Sequence, residues 1–568
     1  MRLLKIIALP VFFVFNFSAQ AQTSINTVNP KIWYLQDSAT DHVDGISLNK
    51  AYEFLKGKKS TPVIVAVIDC GVDTTHEDLK KILWTNKKEI PGNGIDDDHN
   101  GYVDDIHGWN FLGNKDGSNL GKASDERSRV YYAGKDKYEG KTIDTTTMTA
   151  DEKWNYSEWQ KAAADMTVSS DEQMEVMMLD ALDKTLHKQD DILQQELGKK
   201  EYSINDIEQN DNLSAKGKEA KTSLLNILKM MQVDSSTTNV SILSDLEEYL
   251  DGKRSTLANK TAAPPDYRAQ SVKDNYYDIN DKYYGNNDVM GPDADHGTHV
   301  TGIIGAQRNN NIGIDGIADN VQVMMIRAVP DGDEYDKDIA LAIKYAVDNG
   351  AKVVNMSFGK GFSPQKKWVD EAVKYAEDHD VLLVHAAGNE SNDIDSTDNF
   401  PNPNFLYIKD KPDNFITVGA YGDPQINNGK LIAYFSNYGK NSVDVFAPGV
   451  RIYSTIPHSY TYHDGTSMAS PVVAGIAALV RSYYPQLSAE QVKYAIVNSG
   501  KHYSAEVNKP LHDDPSTYTP IQFSDLGINP GFANADGAVE LAATLKPDTK
   551  KSESKSVKKI QNNLETNQ

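Results

Sequence analysis

The sequence predicts an α/β protein built on a doubly wound, mostly parallel sheet, with an inserted α-helical domain. Three observations carry this reading. Six short apolar runs rich in β-branched residues recur along the chain, helix-patterned segments alternate with them, and a long polar stretch from residue 113 to 270 breaks the alternation. A strand buried on both faces reads as a continuous apolar run, and strand–helix–strand alternation places parallel strands between two helical layers. At 568 residues, 39% of them hydrophobic, the chain can build more than one core.

The first residues place Arg2 and Lys5 ahead of an apolar run that ends in Ala19-Gln20-Ala21. This pattern predicts a cleavable secretory signal over residues 1–21, its apolar part being short for a membrane span. The expected product is exported, periplasmic or extracellular, with no transmembrane segment after signal cleavage. Cys70 is the only cysteine, so no internal disulfide is available. A formal net charge of -23 argues against nucleic acid as partner, since phosphate binding needs basic patches.

The buried runs are Pro62 to Asp69, Val321 to Val329, Ala351 to Phe358, Asp380 to Gly388, Asn414 to Tyr421 and Ser442 to Gly449. Helical patterns between them end at Gly350 and just before Val381, as C-terminal signals predict. Within 113–270, Ser170 and Gln173 have capping-box spacing. Met178, Leu182, Leu186, Leu193 and Leu197 then follow a helical period up to Gly198. Further helices are expected around Ser223 to Met231 and Ile242 to Leu250, with the methionines as core filler. Residues 546–568 form a polar, mostly basic tail that should be disordered.

Three motifs fall where sheet strands should meet a loop or helix, the edge at which open α/β sheets place their sites. "VIDCGVD" ends the first buried run at Asp69. "DADHGTHVTGIIGA" puts His296 at the start of a helix, and "HDGTSMASPVVAG" puts Ser467 just ahead of Pro471, a residue suited to a first helical turn. Acyl transfer by a serine needs an imidazole to take the hydroxyl proton and a carboxylate to hold that imidazole in the right tautomer. Zinc chemistry would need other spacing, because no second ligand pair follows His296 and His299.

These three blocks, in the order Asp, His, Ser, resemble the signature blocks of the subtilisin family of serine peptidases. The resemblance covers Asn29 to Asn110 and Val272 to Leu545 and implies a three-layer subtilisin-like fold. It implies Asp69 as orienter, His296 as general base and then acid, Ser467 as nucleophile, and Asn389 of "AAGNES" as oxyanion donor beside the Ser467 amide. His299 matches a structural position. "NMSFG" matches the substrate-binding strand, so Ser357, Phe358 and Gly359 are expected to pair with an extended peptide. The implied activity is serine endopeptidase, acting on protein or peptide substrates. The alternative reading is a catalytically silent peptide-binding or adhesion protein on the same fold.

The implied organisation is a signal at 1–21, a catalytic domain at 22–112 and 271–545, an inserted domain at 113–270, and the tail at 546–568. The insert makes the separation of Asp69 from His296 far longer than the family's, and is expected to bind a partner or gate the site. The stretch before Asp69 already resembles the start of the catalytic domain, so no folding propeptide of the usual kind is expected. Cys70 reads as a small buried residue or, alternatively, a reactive thiol.

Calcium is the expected cofactor. "GIDDDHNGYVDD" spaces Asp96, Asp98 and Asn100 at alternate positions, followed by the Tyr102 carbonyl and Asp104, a pattern of oxygen ligands that lacks the final glutamate of an EF-hand. The resemblance implies a second site at Asp78 and Asn310 with the carbonyls of Ile312 and Ile314.

Overall fold

The computed structural model describes residues 28–230, 233, 237–511, 517–528 and 530–548. The predicted signal and all but the first residues of the predicted tail lie outside the described residues.

Along the chain, α1 (Leu48–Leu55) precedes β1 (Val63–Asp69) and β2 (Gly108–Asn110). Helices α2 (Glu126–Tyr138), α3 (Ala150–Ala164), α4 (Ser170–Leu197), α5 (Ile204–Glu208), α6 (Ala215–Met230) and α7 (Asn239–Asn259) follow. Next come α8 (Tyr267–Ser271), α9 (Asp295–Gly305), β3 (Val321–Arg327), α10 (Asp336–Asp348), β4 (Val353–Met356), α11 (Lys366–Asp378), β5 (Leu382–Ala386) and β6 (Phe415–Tyr421). The chain continues with β7 (Val445–Pro448), β8 (Ile452–Ile456), β9 (Ser459–His463), α12 (Thr466–Tyr483), α13 (Ala489–Asn498), β10 (Lys501–His502), β11 (Glu506–Asn508), β12 (Pro520–Gln522), β13 (Gly531–Phe532) and α14 (Ala535–Thr544).

These elements fall into two compact units. The larger, residues 28–123, 266–510 and from 518 onward, holds the sheet. Its strand order is β10-β13-β7-β6-β5-β4-β1-β3-β2, parallel except where β10 meets β13. Side chains alternate across the pleat. Val65 and Val67 face a core shared with α1, α9, α12, α13 and α14, while Ala66 and Ile68 face one shared with α10 and α11. The molecule is therefore three-layered, and all six predicted buried runs are neighbours in one sheet. Each strand is shorter than its apolar run at one or both ends, because the run continues into the turn that leaves the sheet. Three short strands went unpredicted: β2 caps one edge, and β13 and β10 extend the other. So did the hairpin β8–β9, whose second strand is half exposed, and the antiparallel pair β11–β12.

Two local expectations are corrected. The capping box of α4 is Ser169 with Glu172, one residue before the predicted Ser170 with Gln173. Ser169 is extended and accepts the Glu172 amide at 3.1 Å, while Glu172 accepts the Ser169 amide at 2.9 Å. Pro471 lies in the second turn of α12 and not the first, since the helix begins at Thr466.

The smaller unit comprises residues 124–265, helices α2 to α7. Its core is built from Leu179, Leu186 and Leu193 of α4 with Leu224 and Leu228 of α6 and Leu246 and Leu250 of α7. The apolar stripe of α4 runs through Leu179, whereas Met174, Met177 and Met178 are exposed and are not core filler. Helices α6 and α7 both begin earlier than predicted, and α7 also runs further, to Asn259.

Candidate active site

Asp69 is the last residue of β1, and the sheet carries it to the carboxyl edge in a buried setting. Its Oδ1 lies 2.7 Å from His296 Nδ1 and accepts the Cys70 amide at 2.8 Å. His296 is the second residue of α9. The helix can approach β1 this closely because a Cβ at Gly297 would stand 2.0 Å from the Gly71 carbonyl oxygen, so a side chain there would push α9 away.

Burial pushes the His296 imidazolium toward losing its proton, but the Asp69 charge and hydrogen bond outweigh it. Asp295 and Asp293 add to them, so the pKa rises above the ordinary histidine value. His299, fully buried with Nε2 3.2 Å from the Thr461 carbonyl, is held well below it by desolvation. Desolvation and the neighbouring Asp69 push the Cys70 thiol well up, which disfavours the thiolate a reactive cysteine needs.

Ser467 is the second residue of α12. Gly465 ahead of it sits at φ 154°, ψ 160°, a region open essentially to glycine, and this sharp turn puts Ser467 at the helix mouth. Asn389, in the loop after β5, accepts both the Thr466 amide and the Thr466 hydroxyl on Oδ1, each at 2.9 Å. With Oδ1 committed, the two N–H groups of Nδ2 are what Asn389 offers beside the Ser467 turn. Thr466 was not singled out from sequence; its place between Gly465 and Ser467 was the available signal.

The Ser467 hydroxyl donates to the Ser357 carbonyl at 3.0 Å, and no hydrogen bond joins it to the imidazole. Ser357 Oγ in turn donates to the Ser467 carbonyl at 2.9 Å and accepts from Asn355 Nδ2 at 2.9 Å. Pro471 explains this return bond. A helical carbonyl at position 467 would accept the amide of residue 471, and proline has none, so the Ser357 hydroxyl supplies the missing donor. Ser357, Phe358 and Gly359 lie just past the end of β4, beyond its ladder. The Phe358 carbonyl is 2.8 Å from His385 Nε2, and burial lowers that histidine to about 4, so at neutral pH it is an uncharged ring with Nε2–H as the donor. Gly359 packs on Asn399, whose Oδ1 would lie 2.3 Å from a Cβ there.

The calcium candidates are partly gathered. Ligand oxygens of Glu89, Asp96 and Asp98 lie within 4.8 Å of one another; Glu89 was not read from the sequence. Asp96 accepts the amides of Asn100 and Gly101, which closes the loop from 96 to 101 just ahead of Tyr102. Asp104 is not among the gathered carboxylates: it accepts the amides of Gly92, Asn93 and Gly94, as Glu89 itself accepts those of Asp97, Asp98 and Asp104. The Asn100 side chain takes the Tyr102 amide on its oxygen and donates to Asp105. At the second candidate, Asp78 accepts Asn310 Nδ2 at 2.6 Å and the Ile314 amide at 3.1 Å, while Asn310 Oδ1 accepts the Ile312 amide at 2.8 Å. Burial raises the Asp78 pKa, opposed by the bonds from the Ile314 amide and Asn310. The gathered oxygens of Glu89, Asp96 and Asp98 are hard donors that fit calcium, whereas at the second place Asn310 turns its Nδ2 to Asp78 and its oxygen to the Ile312 amide, so it would have to turn over to serve as a ligand.

A three-layer α/β fold with an aspartate–histidine pair and a serine at a helix mouth, all on the carboxyl edge, defines the serine peptidase class of subtilisin type. The chain belongs to the subtilase family, whose sequence model matches residues 60–515. The thermophilic serine proteinase of Bacillus sp. strain AK1 is 40% identical over 220 residues, 38% of this chain and 49% of that protein. Subtilisin DY of Bacillus licheniformis is 41% identical over 203 residues, 35% of this chain and 67% of that protein. Among solved structures, the prenylagaramide maturation protease PagA matches 44% of this chain and 82% of its own at 28% identity, with a TM-score of 0.34. The chain thus spans about half the length of the first of these relatives.

Proposed function

We propose that the protein is an exported serine endopeptidase that hydrolyses peptide bonds in protein or peptide substrates through an acyl-enzyme on Ser467. The supporting observations are the Asp69–His296 contact at 2.7 Å and a serine at the mouth of α12 on the same carboxyl edge of the sheet. An extended substrate laid along Ser357 to Gly359 offers its own N–H to the Ser357 carbonyl. That displaces the Ser467 hydroxyl and frees it to turn to His296 Nε2.

His296 then takes the hydroxyl proton as Oγ bonds to the scissile carbonyl carbon, and Asp69 stabilises the imidazolium through Nδ1–H. The oxyanion accepts from Asn389 Nδ2 and the Ser467 amide, aided by the positive end of the α12 dipole. Collapse breaks the C–N bond, and His296 gives the proton to the leaving amine. Water enters, His296 removes its proton, and the hydroxide adds to the ester carbon. The acid leaves as Ser467 recovers its proton.

Calcium, where bound, would be held by Glu89, Asp96 and Asp98 at one place and by Asp78 and Asn310 at the other. Its role there is structural, cross-linking loops that flank the sheet. Residues 113–270 are taken as an inserted domain that gates the site or recruits a partner. Export to the periplasm or beyond rests on the residues 1–21 pattern. Among the described residues no helix is long and apolar enough to cross a membrane.

A fluorophosphonate probe tests the reading. Labelling of folded protein that disappears in Ser467→Ala, together with loss of casein cleavage, is expected. A folded chain that resists the probe would instead be a silent peptide-binding protein.

A further inference from the structure

We propose that His385 is a positioning residue for substrate: from within the sheet it fixes the Phe358 carbonyl, and so aims the Gly359 amide at an extended peptide laid along Ser357 to Gly359. This role rests on the peptidase reading given above. His385 itself touches neither the peptide nor the reacting atoms.

β5 is otherwise apolar, with Leu382, Leu383 and Val384 before His385 and Ala386 after it, and all five residues are buried. An imidazole in such a strand costs free energy that another aliphatic side chain would not. His385 is 1% exposed, and its ring packs against Phe358 and Phe415 with centroids 6.3 and 5.8 Å away. Nε2 lies 2.8 Å from the Phe358 carbonyl, an acceptor only, so Nε2 carries the proton. Burial lowers the pKa to about 4, and the bond is made at neutral pH without burying a charge.

The sheet explains why a side chain is needed there. Parallel pairing of β4 with β5 ends at Met356 and His385. Counting on by twos from the Lys352 carbonyl, which accepts the Leu382 amide at 3.1 Å, the ladder would next give the Phe358 carbonyl the amide of Gly388. Gly388 donates instead to the Thr466 hydroxyl at 3.1 Å, in the turn that holds Asn389. His385 therefore supplies the donor that the main chain of β5 gives to the Ser467 turn. Alternate carbonyls of an extended strand point to opposite edges. With Phe358 held toward β5, Ser357 and Gly359 turn theirs to the other edge, where the Ser467 hydroxyl rests on Ser357. The planar peptide that joins Phe358 to Gly359 then points its N–H to that same edge. Without His385 the plane can swing, and the amide of Gly359 loses its aim.

Two substrates separate this role from a structural one: a tetrapeptide amide long enough to pair with Gly359, and an N-acylated single-residue ester that reaches only Ser357. In His385→Leu, which keeps bulk and removes the donor, kcat/KM for the tetrapeptide should fall on the order of tenfold, mostly through KM. Ester turnover and the rate of fluorophosphonate labelling should stay near wild type, with circular dichroism unchanged. His385→Gln, which restores a donor, should recover most of the loss. The wild-type chain gives a readout that needs no variant to fold: a slowly exchanging His385 Nε2–H resonance that shifts when a tetrapeptide aldehyde binds. Equal losses on tetrapeptide, ester and probe, no loss on the tetrapeptide, no recovery in His385→Gln, or a resonance that aldehyde does not move would each overturn the role. A wild-type chain that resists the probe would count instead against the peptidase reading itself.

Discussion

Ser357 and Ser467 clasp each other by two hydrogen bonds of opposite sense: the Ser467 hydroxyl to the Ser357 carbonyl, and the Ser357 hydroxyl to the Ser467 carbonyl. In the proposed mechanism substrate replaces the first, while the second answers the donor that Pro471 lacks. Ser357→Ala should therefore destabilise the fold by about 1–3 kcal/mol, the cost of a buried carbonyl left without a donor. It should also lower kcat by loosening the α12 mouth. In a Pro471→Ala background the amide of residue 471 can take over, so the same substitution should cost less. Denaturant melts of the four proteins give the coupling, and an equal cost in both backgrounds would show that Pro471 is not the reason for the bond.

The acid limb of the rate profile should lie above the ordinary histidine range. His296 must be neutral to act as base, and the charges of Asp69, Asp295 and Asp293 keep its proton on. kcat/KM should rise with pH through the raised value and then level. The stability that the pair contributes runs the other way. With the folded pKa above the unfolded one of about 6.5, it is fully present below that pH and is lost as pH rises through the folded value. Asp295→Asn removes one raising charge without touching the reacting atoms, so the limb should move to lower pH while the plateau stays. Asp69→Asn should instead collapse the plateau by about four orders of magnitude, because the ring loses its tautomer. A limb unmoved in Asp295→Asn would assign the titration to another group.

In the proposed mechanism Asn389 and Thr466 divide one task, stabilisation by the first and aiming by the second. Asn389→Ala should lower kcat about 10²–10³-fold with little change in KM, the loss known for a single oxyanion donor in a subtilisin. Thr466→Val keeps the shape and removes the hydroxyl that fixes Asn389 Oδ1, leaving only the amide contact. Its kcat should fall in the same direction by a smaller factor. Steady-state kinetics on a short peptide substrate check both, and a KM effect larger than the kcat effect would contradict an oxyanion role.

These relationships mark where sequence reasoning succeeds. The six central strands were legible because strands buried on both faces must be apolar throughout. β2 and the β8–β9 hairpin are short or half exposed and carry no such run. Asp69, His296, Ser467 and Asn389 could be picked out as candidates because each belongs to a motif with glycine close by, at the end of β1, at the starts of α9 and α12, and in the loop after β5. The Ser357–Ser467 clasp was not, because it joins residues 110 apart through a donor that proline lacks. Glu89 was missed for a similar reason: loop closure, and not spacing, brings it to Asp96 and Asp98. Asp104 follows the spacing rule yet is not among the three gathered carboxylates, and accepts the amides from Gly92 to Gly94.

Calcium removal should separate Glu89 from Asp104. If Glu89, Asp96 and Asp98 hold an ion in the folded chain, mass action makes it stabilising, so chelator should lower Tm and added calcium restore it. Glu89→Gln or Asp98→Asn should shrink that chelator-dependent drop. Asp104→Asn should leave the drop largely intact while lowering Tm in both conditions, because its carboxylate holds backbone amides and is not among the three gathered with Asp96. Thermal melts of Ser467→Ala proteins, with and without chelator, read this directly. A drop that persists in Glu89→Gln and vanishes in Asp104→Asn would return the ligand set to the spacing first read from the sequence.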